Sequence, residues 1–185
     1  MKKLSISLLI IFVLIVASCT EKFAPSASQA GKVRFDSAAY DRIYVEAIKQ
    51  KLMGNAGDAL KYFEQSIKIN PGSDASWYQM AQILANSGDT KNARKYALKA
   101  TELDKNNLWY IMMLSQLYYQ DRNLDSAIIW QEKAARIFPE NENLQLALGN
   151  LYIENKNYAK ANAIFESFDK EYGVNETSTL LSIKS

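Results

Sequence analysis

From Tyr40 onward, apolar positions recur three and four residues apart, separated by short polar or small-residue breaks. Leu60, Phe63 and Ile67 show the spacing plainly, and it places all three on one face of a helix. The pattern predicts a helix from Tyr40 to Met53, a turn at Gly54-Asn55 and a second helix from Ala59 to Ile69. Asp74 is placed to cap the helix that follows, and Asn107 and Asn141 the later ones, because a short polar side chain can accept from the first free backbone N–H groups. Pro71 and Pro139 sit where a helix has just ended, which suits a residue that cannot continue one.

The pattern repeats with a period of 34 residues, giving blocks 40–73, 74–107, 108–141 and 142–175. One column reads Ala59, Ala93, Ala127, Ala161, and a second reads Ala47, Ala81, Ser115, Gly149. A third reads Ser66, Ala100, Ala134 and then breaks at Phe168. Small residues at fixed positions mark places where two helices cross closely, since side-chain size at the contact sets the separation of their axes. Ile43, Trp77 and Ile111, with Leu84, Tyr118 and Tyr152 two turns on, are expected to fill the space around the crossings.

The period and these residue types resemble the tetratricopeptide repeat, most clearly over Gly54 to Pro71. The resemblance implies an all-α fold: an α-solenoid of four antiparallel helix pairs forming a right-handed superhelix. Three positions depart from it. Glu46 occupies a column otherwise held by Met80, Leu114 and Leu148, while Ala97 and Gln131 stand where Phe63 and Phe165 are aromatic. Residues 176–185, with Leu180, Leu181 and Ile183, read as the start of an incomplete fifth repeat or a capping helix.

The first 18 residues have a different pattern: Lys2 and Lys3, then an uncharged run from Leu4 to Ser18. That run is shorter than the ~20 residues a spanning helix needs and fits a secretory signal peptide. Its end, Val16-Ala17-Ser18-Cys19, resembles the lipobox of bacterial lipoproteins, which implies cleavage before Cys19 and acylation of that residue. Residues 19–39 then form a lipidated cysteine and flexible tether, with a reach of about 20–25 Å by random-coil scaling. The expected location is the bacterial cell envelope, lipid-anchored, at the outer membrane facing the periplasm. The layout is similar to that of tetratricopeptide-repeat lipoproteins of the Bacteroidota envelope.

Composition narrows the chemistry. There are 22 Lys+Arg, 20 Asp+Glu, one cysteine and no histidine. Removing Lys2 and Lys3 leaves 20 of each sign and a net charge of zero, which argues against a nucleic-acid partner. Without histidine there is no Ser-His or Cys-His pair, and one cysteine makes no disulfide within the chain. No catalytic residues, metal ligands or cofactors are expected. Asp121, Asp125, Glu140 and Glu142 fall at turns, where acids cap helices and face water. Lys91, Arg94, Lys95 and Lys99 form a basic stripe on the second helix of the second block, read as a solvated outer face. Asp36-Ser37-Ala38 resembles a short O-glycosylation signal.

Function is expected on the face made by the first helix of each pair, because the tetratricopeptide family holds peptides there. The resemblance carries groove positions onto Asp41, Tyr44, Ile48, Lys51 and Leu52, then Ala75, Tyr78, Gln82, Ala85 and Asn86. The later blocks contribute Trp109, Met112, Gln116, Tyr119 and Gln120, then Asn143, Leu146, Asn150, Ile153 and Glu154. Tyr44, Tyr78, Gln82, Asn86, Trp109, Met112, Gln116, Tyr119 and Asn150 are the candidate partner contacts. Aromatic rings offer contact area and amides can pair with an extended backbone. Tyr110 and Ile111 compete with Trp109 for the inward position. The chaperone-type carboxylate clamp of the family is absent, its places being filled by Tyr44, Ile48, Gln79, Trp109 and Met113. The expectation is a non-catalytic scaffold with a protein or peptide partner, held to the membrane through Cys19. Self-association as a structural spacer, or service as the repeat portion of a longer protein, is the alternative.

Overall fold

The structure, a computed structural model, describes residues 36–172, with side chains to residue 167. Among the described residues eight helices follow one another: α1 Ser37–Leu52, α2 Ala56–Ile69, α3 Asp74–Asn86, α4 Thr90–Leu103, α5 Leu108–Gln120, α6 Leu124–Ile137, α7 Glu142–Glu154 and α8 Tyr158–Tyr172. Each helix packs chiefly on the helices before and after it in the chain, the arrangement expected of stacked helix pairs. None of the helices among the described residues is long and apolar enough to cross a membrane. The signal segment 1–18, Cys19, the tether up to residue 35, the side chain of Phe168 and the tail 176–185 with Leu180, Leu181 and Ile183 lie outside the described residues.

The turn inside each pair is the same device used four times. Gly54, Gly88, Arg122 and Lys156, spaced by the repeat, take positive φ values of 80°, 81°, 59° and 58°. The residue after each donates its N–H back across the helix end: Asn55 to Gln50 O, Asp89 to Leu84 O, Asn123 to Tyr118 O and Asn157 to Tyr152 O. This left-handed cap satisfies carbonyls that the helix would leave orphaned. The same four residues begin the next helix. Asp89, Asn123 and Asn157 each accept from the backbone N–H three residues on, whereas Asn55 instead donates its amide to Gln50.

Several helix starts differ from the sequence expectation. The first helix begins at Ser37 rather than Tyr40, because Asp36 accepts from the Ala39 N–H at 2.9 Å and extends it by a turn. Residues 37–39 therefore belong to α1 and not to the tether. The Asp36 carboxylate, half of the glycosylation-like signal, is engaged as a cap. The second helix begins at Ala56, three residues before Ala59. Ser73, not Asp74, caps α3, its hydroxyl accepting from Ser76 N–H at 3.2 Å. Asn107 caps α5 by accepting from Trp109 N–H, while Asn141 holds the cap position of α7 without a side-chain bond.

The small-residue columns lie at the helix crossings. Ala59, Ala93, Ala127 and Ala161 are wholly buried, as are Ala47 and Ala81. Three apolar clusters succeed one another along the stack. Met80 of α3 packs with Ala59 and Phe63 of α2, and Leu114 and Leu117 of α5 with Ala93 and Ala97 of α4. Leu148 and Tyr152 of α7 pack with Ile128 and Ala134 of α6. Each Leu, Ile, Met or Phe side chain so taken out of water contributes about 1.5–3 kcal/mol. Gln131 is 5% exposed in an aromatic column, and its amide donates to Leu144 O at 3.0 Å, so α6 and α7 are joined by a hydrogen bond where Phe63 makes an apolar contact. Glu46 is half-buried on α1 and accepts from Gln50 and Lys49.

Candidate partner-binding groove

The first helices α1, α3, α5 and α7 present one face, and two adjoining clefts run along it. The first, of about 400 Å³, lies between α3 and α5 and is closed at one side by Lys51 of α1. Tyr78, Gln82, Asn86, Trp109, Met112 and Gln116 line it. The second, of about 340 Å³, lies between α5 and α7. It shares Met112 and Gln116 with the first and adds Tyr119 and Asn150. Eight of the nine candidate contacts thus border one cleft or both. Tyr44 borders neither: its ring stacks on Tyr40 and meets the edge of Phe63, half-buried beside the first cluster.

The competition among Trp109, Tyr110 and Ile111 resolves in favour of the last two. Ile111 is 0% and Tyr110 6% exposed, whereas Trp109 is 67% exposed. Tyr110 is satisfied inside because its hydroxyl donates to Asp74 at 3.0 Å. Burial and the Asp74 carboxylate hold that phenol far above the ordinary tyrosine range. The Tyr78 ring packs on Tyr110 with centroids 4.7 Å apart, so one edge of Tyr78 is anchored and the other faces the cleft. Burial raises the Tyr78 hydroxyl as well. Across the second cleft, the Tyr119 hydroxyl donates to Glu154 at 2.9 Å, and that bond raises its pKa.

Polar contacts hold the first helices in register. Lys51 of α1 donates to Gln79 and Gln82 of α3 at 2.5 and 2.6 Å. Tyr110 of α5 reaches Asp74 of α3, and Tyr119 of α5 reaches Glu154 of α7. The turn acids serve the same end. Asp121 accepts from Thr90 at 2.7 Å and pairs with Arg94, while Asp125 accepts from Asn155. The basic stripe is partly spent in this way: Arg94 is engaged by Asp121 and lies over the Tyr118 ring, and Lys99 pairs with Glu102. Ser115, Gln131, Ala147 and Leu151 also line the second cleft. They fall outside the positions the family resemblance implies because they are buried or lie between those positions.

A sequence profile of the tetratricopeptide repeat matches residues 74–107 and 110–141, which are α3 through α6. The fold is a tetratricopeptide-repeat solenoid. Among solved structures, a tetratricopeptide repeat protein from Parabacteroides merdae superposes with a TM-score of 0.68 at 16% identity, over 78% of this chain and 58% of that one. MamA superposes with a TM-score of 0.64 at 15% identity, over 72% of this chain and 73% of that one. At such identities the likeness is one of fold. A structure of Naa15/Naa10 bound to HypK-THB matches with a TM-score of 0.54 at 25% identity, over 72% of this chain and 20% of that one. The tetratricopeptide repeat and J domain-containing co-chaperone DNJ1 of Cryptococcus neoformans is 41% identical over 68 residues. That stretch is 37% of this chain, and this chain spans only 13% of the co-chaperone's length.

Proposed function

We propose that this protein is a non-catalytic, membrane-anchored interaction scaffold that holds a peptide segment of a partner protein along α3 and α5. The observation that carries the reading is the pair of clefts joined at Met112 and Gln116, walled by Tyr, Met, Gln and Asn, with the outward Trp109 on the first of them. A side chain as large as indole stays in water at a cost unless a partner covers it, and aromatic residues are those that dominate binding energy at interfaces. Amides on both walls, Gln82 and Asn86 on α3 and Gln116 and Gln120 on α5, stand one helical turn apart and offer both donors and acceptors to an extended backbone. A protein partner is supported by the likeness to a co-chaperone and to a Naa15/Naa10 structure bound to HypK-THB. Anchoring through Cys19 at the outer membrane, and a part in assembling an envelope complex, complete the proposal and rest on the lipobox-like sequence.

The test is a crosslinking pull-down of the tagged chain from its native envelope, beside the Tyr78→Ala/Tyr119→Ala variant and a Gln116→Arg variant, whose altered side chain is exposed. The reading expects one envelope protein recovered with the wild type and lost from both variants at unchanged helicity. The same recovery from all three would place the interface elsewhere.

A further inference from the structure

Among the described residues, Lys51 is the one cation lining the first cleft, and no carboxylate lines it. Its ammonium is half-buried and is held by the amide oxygens of Gln79 and Gln82. Among the described residues no acid pairs with it. Burial without a compensating charge pushes its pKa down. Such a cation costs free energy that a carboxylate would offset, and neutral amides do so only in part.

The surroundings share this bias. The rest of the cleft lining is neutral, Tyr78, Asn86, Gln116 and Gln120 among it. With their oxygens held by Lys51, the amides of Gln79 and Gln82 have NH2 groups to donate. The ammonium keeps a third N–H. Donors therefore gather around one half-buried charge. From that charge the cleft continues along Gln82 and Asn86 of α3, with Gln116 and Gln120 facing them from α5. One cation matches one side-chain carboxylate, and the family's clamp for a chain terminus is absent here.

We propose, building on the scaffold reading, that the partner segment is an extended peptide carrying an internal aspartate or glutamate, whose carboxylate sits on Lys51. An apolar residue beside it packs on Trp109 and Met112. The recognition chemistry is a charge-assisted hydrogen bond at one point and aromatic and thioether contact next to it. Arg94, the cation that engages a turn acid across two repeats, is already paired with Asp121 and has no such vacancy.

The test is selection from an mRNA-displayed library of random peptides about 12 residues long, flanked at both ends by constant sequence. The bait is the full chain in detergent micelles. A second library ends in a free carboxyl terminus. The expected result is enrichment of one internal acidic position next to an apolar one. Lys51→Gln should weaken the selected peptide about 10-fold, as for loss of one charge-assisted bond, at unchanged helicity. Lys51→Arg should retain binding, and Lys51→Glu should shift the enriched position from acidic to basic. Acidic enrichment that survives Lys51→Gln, enrichment without an acidic position, or enrichment only of free carboxyl termini would overturn this assignment and leave the groove reading standing. A library in which nothing is enriched would overturn both.

Discussion

Gly149 of α7 lies against the ring of Phe165 of α8 so closely that a methyl group placed on it would stand 2.7 Å from the ring's Cζ. Phe165 is itself buried, so the ring has little room to withdraw. The glycine ends a column that reads alanine, alanine and serine in the earlier pairs, and here the Phe165 ring takes the space such a side chain would need. Gly149→Ala is expected to destabilise the protein by about 1–2 kcal/mol, because overpacking outweighs the helix propensity gained. Gly57, with open space around it, provides the control: Gly57→Ala should raise stability by about 0.5–1 kcal/mol. Urea denaturation of both variants checks the pair of signs.

The repeated turn makes a second prediction. Arg122 and Lys156 hold a left-handed backbone that glycine adopts at Gly54 and Gly88 without steric cost. Arg122→Gly and Lys156→Gly should each stabilise by about 0.5–1 kcal/mol, and Gly88→Ala should destabilise by about 1 kcal/mol. Thermal melts of the three variants decide it. Melts in which glycine is the worse residue at 122 and 156 would show that unfolded-chain entropy outweighs the strain.

Stability should be flat near neutral pH and fall in alkali. The chain has no histidine to titrate between about pH 5 and 8. Tyr110 is held neutral in the folded protein by burial and by Asp74. Its folded pKa lies above its unfolded one, so the contribution is complete below about pH 10 and is lost as pH rises beyond that. In the acid limb the sign is opposite. Glu132 is held low by its bond from Tyr152 and by Lys160, so its contribution is present above the ordinary carboxylate range and disappears as pH falls through the lowered value. Tyr110→Phe should flatten the alkaline decline, measured as urea midpoints between about pH 7 and 11. An unchanged decline in that variant would reassign it to other groups.

At the N-terminus, Cys19→Ala is expected to leave an unprocessed precursor and abolish metabolic lipid labelling. Normal processing and labelling of the variant would remove the lipobox reading and the anchor with it.

The helix pairs were legible in the sequence because close crossings tolerate only small residues, and Ala59, Ala93, Ala127 and Ala161 record that constraint in their spacing. Helix starts were less legible. Ser73 and Asp74 are both good caps, and the choice between them was settled by Tyr110, 36 residues away, which takes the Asp74 carboxylate. The same bond explains why Trp109 is the residue left outside: periodicity cannot separate neighbours, but a phenol had an acceptor waiting inside. Arg122 and Lys156 carry no turn signal by residue type, and only their register with Gly54 and Gly88 shows what they do. Lys51 stood among the transferred groove positions, yet that its ammonium meets the amides of Gln79 and Gln82, and among the described residues no acid, is shown only by the packing of α1 on α3.

A partner held along α3 and α5 must touch Trp109. The decisive measurement places a photo-crosslinking residue at Trp109 in the full chain, expressed in its native cells, beside the same residue at Ile129, which is exposed on the second helix α6. One discrete adduct is expected from position 109 and none from position 129. Adducts of equal yield from both, or an adduct from 129 alone, would contradict a partner along α3 and α5.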